Sequence, residues 1–174
     1  MEGTKMSNSC WTVQLSESLK NPVGNPAKRI AIVGVGAELN GDDAVGVLIA
    51  RKLMLKLARR EEILVFDSGT NPENAAGPLR MFQPDFVLFV DAAGLGRQPG
   101  KVSLLDLQTV TGASFSTHSL PISVFLKYLR EEIKCEVAVL GIQPQSVEFG
   151  AGLSEEGKQA VSLVADSIFR VLSE

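Results

Sequence analysis

The chain has few of the residues that build closed metal sites or disulfide frameworks. Its 174 residues include two cysteines, Cys10 and Cys135, and a single histidine, His118. Two cysteines so far apart in sequence cannot form a zinc knuckle, and they are too few for a disulfide framework. We therefore interpret both as reduced thiols.

Strong charge and long apolar runs are also lacking. The formal net charge is -3, which gives no electrostatic reason to expect a nucleic-acid partner. The longest apolar runs, such as residues 86–90, have the length of a strand and are too short to cross a bilayer. The N-terminal residues contain no continuous apolar core of the kind that a secretory signal needs. These absences predict a cytoplasmic protein that neither inserts into a membrane nor binds nucleic acid.

The length and the 45% hydrophobic content suit one domain with a proper core. Residues 1–28 differ in composition, because Ser, Asn, Pro and Lys are frequent there. We expect them to form an N-terminal extension and linker that docks on the domain, with a short amphipathic helix around residues 11–19. Residues 29–174 are expected to form the domain itself.

Strand and helix patterns alternate along the predicted domain. Segments with the character of strands are residues 29–36, 62–69, 85–93, 101–107 and 136–142. The first, third and fifth are almost continuously apolar, as strands buried on both faces should be. Segments with helical periodicity are residues 43–59, 119–133 and 154–172. The alternation predicts an α/β fold, a three-layer α/β/α sandwich over a mostly parallel, roughly five-stranded sheet.

The loop after the first predicted strand carries acidic residues where a nucleotide-binding loop carries other types. Leu39 stands where the third glycine of a dinucleotide-binding motif would fall. Gly36 and Gly41 have P-loop spacing, but Asp42 and Asp43 follow instead of Lys and Ser or Thr. Two carboxylates at a helix N-terminus would repel phosphate, so the loop favours a cation. We expect Asp42 to cap the following helix and Asp43 to be free to bind.

Two further candidate ligands stand at predicted strand ends or in loops. Asp91 follows a buried apolar run, where a carboxylate must be paired, used as a cap or bound to metal. His118 lies in a polar loop just before a predicted helix, and its alternative is an ordinary surface or core histidine. Two carboxylates and one imidazole would make an open site suited to nickel, zinc, iron or manganese. A serine triad is disfavoured because no G-x-S-x-G elbow is present, and Cys135 has no visible activating base.

Five motifs stand in an order that resembles the nickel–iron hydrogenase maturation endopeptidases. The likeness is greatest to the branch that serves the hydrogenase of formate hydrogenlyase, and it covers roughly residues 29–172. The motifs are G-V-G-x-x-L-x-x-D-D-x-x-G at 34–46, D-S-G-T-x-P-E-N at 67–74, V-D-A at 90–92, T-H-S-x-P at 117–121 and L-G-I-Q-P at 140–144.

The resemblance implies an endopeptidase that removes the C-terminal extension of a hydrogenase large-subunit precursor after nickel has entered it. The family's metal ligands fall on Asp43, Asp91 and His118, and Asp67 matches a further acidic position near the site. These four residues are the expected catalytic set. Nickel would be carried by the precursor, with the isolated protein free of metal, and nickel-insertion proteins are further candidate partners. The family usually has Asn where this chain has Ala37.

Two other functions compete with this expectation. A non-enzymatic chaperone that reads the metal of the same precursor would use the same three ligands. A nucleotide-binding domain is a more distant alternative, disfavoured by Leu39 and by the acidic loop.

Overall fold

The protein is built on one sheet. The computed structural model describes residues 6–20, 27–106, 108–110, 114–115 and 122–173, without the side chains of residues 6–10 and 114–115. The described strands are β1 (Ile30–Gly34), β2 (Ile63–Asp67), β3 (Phe86–Gly94), β4 (Val102–Leu105), β5 (Ser114–Phe115) and β6 (Glu136–Ile142).

The strand order is β2-β1-β3-β6-β4, and β5 pairs separately with β3. Strands β2, β1, β3 and β6 are parallel, whereas β4 runs antiparallel to β6 and β5 antiparallel to β3. The prediction of a mostly parallel, roughly five-stranded sheet is confirmed. Strand β5 was not predicted, because two residues are too few to show the periodicity of a strand.

Helices cover both faces of the sheet. They are α1 (Met6–Leu19), α2 (Val45–Leu57), α3 (Ala76–Phe82), α4 (Ile122–Ile133) and α5 (Glu155–Val171). One hydrophobic cluster joins α1, α2 and α5 to alternate residues of β1 such as Ile32, and a second joins α3 and α4 to the others, such as Val33. This alternation produces the predicted three-layer sandwich.

The predicted helices are present, with some differences at their ends. Helix α2 begins at Val45, because residues Gly41–Ala44 form a 3-10 turn ahead of it. Helix α3 was not predicted, since it has only seven residues and follows a 3-10 turn, Pro72–Ala75. The predicted start of the next helix at Ser119 lies outside the described residues, and α4 is described from Ile122.

The N-terminal helix is part of the core. Trp11 and Leu15 are 2% and 1% exposed, and α1 packs against β4 and α5. The helix expected around residues 11–19 is therefore present, and it is described from Met6 to Leu19. Across the described parts of the chain, no helix combines the length and the apolarity needed to span a bilayer.

Candidate functional site

Helix α2 approaches the carboxyl end of β1 and the adjacent residue of β3, Val90, so closely that only glycine fits at the contact. A Cβ atom on Gly46 would overlap the carbonyl oxygens of Val35 and Val90, and one on Gly34 would overlap the carbonyl oxygen of Gly46. The first turn of α2 therefore packs directly against the end of β1 and against Val90 of β3. As a result, the turn that contains Asp43 lies at the same edge of the sheet as Asp91.

Asp43 is fully buried in the 3-10 turn before α2. Its Oδ2 atom accepts a hydrogen bond from the Ala37 N–H at 2.8 Å. The Asp43 backbone lies against Gly36, whose φ of +152° and lack of space exclude a side chain at that position. The expectation of a free carboxylate is thus wrong in part, because the loop that carries Asp43 also holds one of its oxygens.

Asp91 lies within β3 rather than at its end. The strand continues to Gly94 because β5 pairs with Ala93 and Gly94, and because β6 pairs with Asp91 and Ala92. Asp91 is 0% exposed and faces Gly141 in the register between β3 and β6. The sequence placed the strand end at this residue because the apolar run stops there.

Asp42 does not cap helix α2, so that prediction is wrong. The N-terminus of α2 has no side-chain cap, and the carboxylate of Asp42 accepts hydrogen bonds from Gln145 and Ser154 instead. Ser154 is the N-cap of α5, where its hydroxyl accepts from the Gly157 N–H at 2.9 Å. Asp42 therefore supports a different helix, whose proximity no local pattern could reveal.

Asp67 is the last residue of β2 and forms an ion pair. Its Oδ2 atom lies 2.7 Å from Nε of Arg51 on α2, and its Oδ1 atom accepts from the Gly69 N–H at 3.0 Å. Arg51 also pairs with Glu38, which lies in the first loop, residues 37–44 after β1. These hydrogen bonds raise the pKa of Arg51 above its ordinary value, and the one from Arg51 lowers the pKa of Glu38. The sequence did not indicate this network, which joins the first loop, α2 and β2.

Gln143 holds the segment that follows β3 in place at this edge of the sheet. Its Oε1 atom accepts hydrogen bonds from the backbone N–H groups of Leu95 at 2.7 Å and Arg97 at 3.3 Å. It thereby joins the segment after β3 to the segment after β6. The G-I-Q-P motif was the available signal, although it did not reveal which backbone groups the amide would bind.

His118 lies outside the described residues, so the three predicted ligands cannot be compared directly. Among the residues that are described, no group of three or more His, Cys, Asp and Glu side chains could hold a metal ion. Two fully buried carboxylates, Asp43 and Asp91, are brought to one edge of the sheet. The three-ligand site stays a prediction.

Comparisons with known proteins agree on one family. The model of the hydrogenase maturation protease family matches residues 47–171. The hydrogenase 3 maturation protease of Escherichia coli K12 is 34% identical over 131 residues, which is 75% of this chain and 82% of that protein. The hydrogenase 2 maturation protease of the same organism is 26% identical over 152 residues, covering 84% and 92%. The crystal structure of the NiFe hydrogenase maturation protease HycI from Thermococcus kodakarensis KOD1 superposes with a TM-score of 0.80 at 32% identity, over 92% of this chain and 99% of that one.

The chain therefore belongs to the hydrogenase maturation protease family, and it is a peptidase. Within the family it is more similar to the hydrogenase 3 protease, at 34% identity, than to the hydrogenase 2 protease, at 26%. This agrees with the branch indicated by the sequence motifs.

Proposed function

We propose that this peptidase removes the C-terminal extension of a nickel-loaded NiFe-hydrogenase large-subunit precursor. It reads the nickel of that substrate through Asp43, Asp91 and His118. The observation that carries the proposal is the burial of Asp43 and Asp91 at one edge of the sheet, both 0% exposed, in a chain of this family.

The donor chemistry supports a divalent metal in the substrate as the feature that is recognised. Burying a carboxylate is costly unless hydrogen bonds or opposite charge compensate it. A cation brought by the substrate would interact favourably with Asp43 and Asp91 together, in addition to the contacts that they already make within the chain. Carboxylate oxygens and an imidazole nitrogen are suitable ligands for nickel.

The course of the described chain supports the inclusion of His118. Phe115, three residues earlier, pairs with Ala93, which is two residues after Asp91. Three residues span at most about 10 Å. Ser114 and Phe115, which precede His118 in the sequence, therefore lie beside the end of β3, the strand that also carries Asp91.

The residues of this chain would act on a metal that the precursor holds through its own cysteines. Asp43, Asp91 and His118 would complete the coordination of that nickel, so that a loaded precursor binds better than an empty one. The bound nickel would position the scissile peptide bond and polarise its carbonyl group or a water molecule. Asp67, held by Arg51, is expected to assist at the edge of this site.

The decisive experiment is intact-mass analysis of purified precursor after incubation with the protein. Nickel-loaded precursor should lose its C-terminal peptide, whereas nickel-free precursor under chelation should remain intact. Equal cleavage of both forms would contradict nickel reading and favour a metal-independent protease. Nickel-dependent binding of the precursor without any cleavage would favour the non-enzymatic chaperone.

A further inference from the structure

We propose that Asp42 is a positioning residue that sets the orientation of Asp43. Its carboxylate ties the first loop, residues 37–44, to the second loop, residues 143–154, which follows β6. The inference deepens the proposed function, because Asp43 is the residue whose orientation would matter for the nickel of the substrate.

The carboxylate of Asp42 is almost fully engaged with the second loop. It is 2% exposed. Its Oδ1 atom accepts from the Ser154 N–H at 2.8 Å, and its Oδ2 atom accepts from the Gln145 N–H at 2.8 Å and from the Ser154 hydroxyl at 2.6 Å. Each oxygen therefore accepts from a backbone N–H. The two donors, Gln145 and Ser154, follow Asp42 by 103 and 112 positions in the chain.

Backbone hydrogen bonds join the same two loops. The N–H of Asp42 donates to the carbonyl of Ser146 at 2.9 Å, and the N–H of Gly41 donates to the carbonyl of Ala151 at 3.0 Å. From the other side, the N–H of Gly150 donates to the carbonyl of Leu39 at 2.7 Å. Three backbone hydrogen bonds therefore hold the first loop against the second, and the Asp42 side chain ties it to the N-terminus of α5.

Asp43 takes its position from this anchored segment. Both aspartates belong to the 3-10 turn Gly41–Ala44, so a shift of Asp42 is transmitted through one peptide unit to Asp43. Asp43 also accepts from the N–H of Ala37, which lies in the same loop. The Ala37 amide is consequently a reporter for the placement of the Asp43 carboxylate.

An amide side chain cannot replace the Asp42 carboxylate. Because each of its oxygens faces a backbone N–H, an Asn in either orientation would direct its NH2 group at one of those donors. Gly157 offers an independent way to disturb the same group, since a Cβ atom there would overlap Oδ1 of Asp42. Alanine has a higher helix propensity than glycine. A loss of stability or activity in Gly157→Ala would therefore come from this contact and not from the helix itself.

The first test measures native-state hydrogen exchange of the Ala37 amide in the full-length protein. Asp42→Asn and Gly157→Ala should each accelerate exchange at Ala37 by about tenfold or more, while the amide of Val35, bonded to Val90, stays protected. Two control variants should leave Ala37 protected. Val164→Ala truncates a fully buried residue of α5, and Gly77→Ala adds a Cβ to a helix where there is open space. If Ala37 exchanges as in the wild type when the amides of Gln145 and Ser154 have lost protection, the proposal is overturned.

The second test measures processing kinetics at a temperature where every variant is folded. Asp42→Asn and Gly157→Ala should lower kcat by about tenfold and leave KM within about twofold of the wild type, because Asp43 is misplaced while the rest of the substrate surface is intact. A purely structural role would give the kcat of Val164→Ala, and that result would overturn the proposal. If the wild type does not cleave nickel-loaded precursor at all, the proposed function fails, and exchange at Ala37 still decides whether Asp42 orients Asp43.

Discussion

The two edges of the sheet treat their charged residues in opposite ways. At the carboxyl edge, Asp42, Asp43, Ser68 and Asp91 are buried, and they are the buried polar side chains in the described part of the chain. At the amino edge, Asp85 is exposed, although its carboxylate also accepts a backbone hydrogen bond, from Arg29 at 2.7 Å. A hydrogen bond from a backbone N–H to an aspartate carboxylate is therefore exposed to water at the amino edge and buried at the carboxyl edge.

The difference shows at which edge the loss of a hydrogen bond to a carboxylate would destabilise the fold most. Hydrogen bonds to exposed charges contribute little to stability, and their loss is easily compensated by solvent. A buried carboxylate that loses its donors is uncompensated, at a cost on the order of 3 kcal/mol. In the described part of the chain, the buried carboxylates lie at the carboxyl edge, where parallel α/β folds commonly bind their ligands.

The amino edge buries a titratable group of a different kind. Cys135 precedes β6 and is 3% exposed. Burial raises the pKa of its thiol, so the neutral form is favoured. The buried titratable group at this edge is thus uncharged at neutral pH.

The largest effect is expected from His118→Ala, which should abolish processing of nickel-loaded precursor. The loss should be at least about 1,000-fold in kcat/KM, because an imidazole ligand has no substitute in a chain with one histidine. The thermal unfolding midpoint should remain near that of the wild type, since His118 lies in a predicted polar loop. A folded variant that processes at the wild-type rate would remove His118 from the site.

Asp43→Asn and Asp91→Asn should each lower kcat/KM by about 100-fold, because a neutral amide binds a cation poorly. The matched control is Asp85→Asn, which makes the same chemical change at the amino edge and should alter kcat/KM by less than about twofold. Processing assays and denaturant unfolding should be run on all three variants. If Asp85→Asn is as damaging as the other two, the contrast between the edges does not reflect function.

Asp67→Asn should have a smaller effect, a loss of about tenfold or less in kcat/KM. Its partner Arg51 is 45% exposed at the side chain, so the pair contributes less than about 1 kcal/mol to stability. Arg51→Gln should reproduce the kinetic effect if Asp67 acts by holding α2 and the first loop together. A severe defect in Asp67→Asn beside a silent Arg51→Gln would instead assign Asp67 a direct catalytic role.

The smallest effect concerns the amino edge and leaves activity unchanged. Cys135 should react with iodoacetamide at least about tenfold more slowly in the native protein than in guanidinium, because the thiolate is the reactive form and burial disfavours it. Peptide mass analysis after timed labelling measures both rates. Equally fast labelling in the native state would show that this edge opens readily, which would weaken the comparison with the carboxyl edge.

Local pattern alone was enough to predict the strands β1, β2, β3, β4 and β6 and the helices α2, α4 and α5. Apolar periodicity is a property of neighbouring residues, so it can be recognised without knowledge of the rest of the fold. The same applies to the placement of Asp43 in the loop after β1, and to the family motifs. Short elements such as α3 and β5 carry too few residues to show a period.

Only the tertiary structure decided which of these pieces meet. The position of β1 between β2 and β3, the antiparallel direction of β4 and the Arg51–Asp67 pair all join residues that are separated in the chain. Asp42 shows the reason most clearly. A single sequence indicates that an aspartate before a helix needs hydrogen-bond donors, and the nearest helix is the natural guess. Its actual donors are on Gln145 and Ser154, and they became its neighbours only when packing brought α5 against α2.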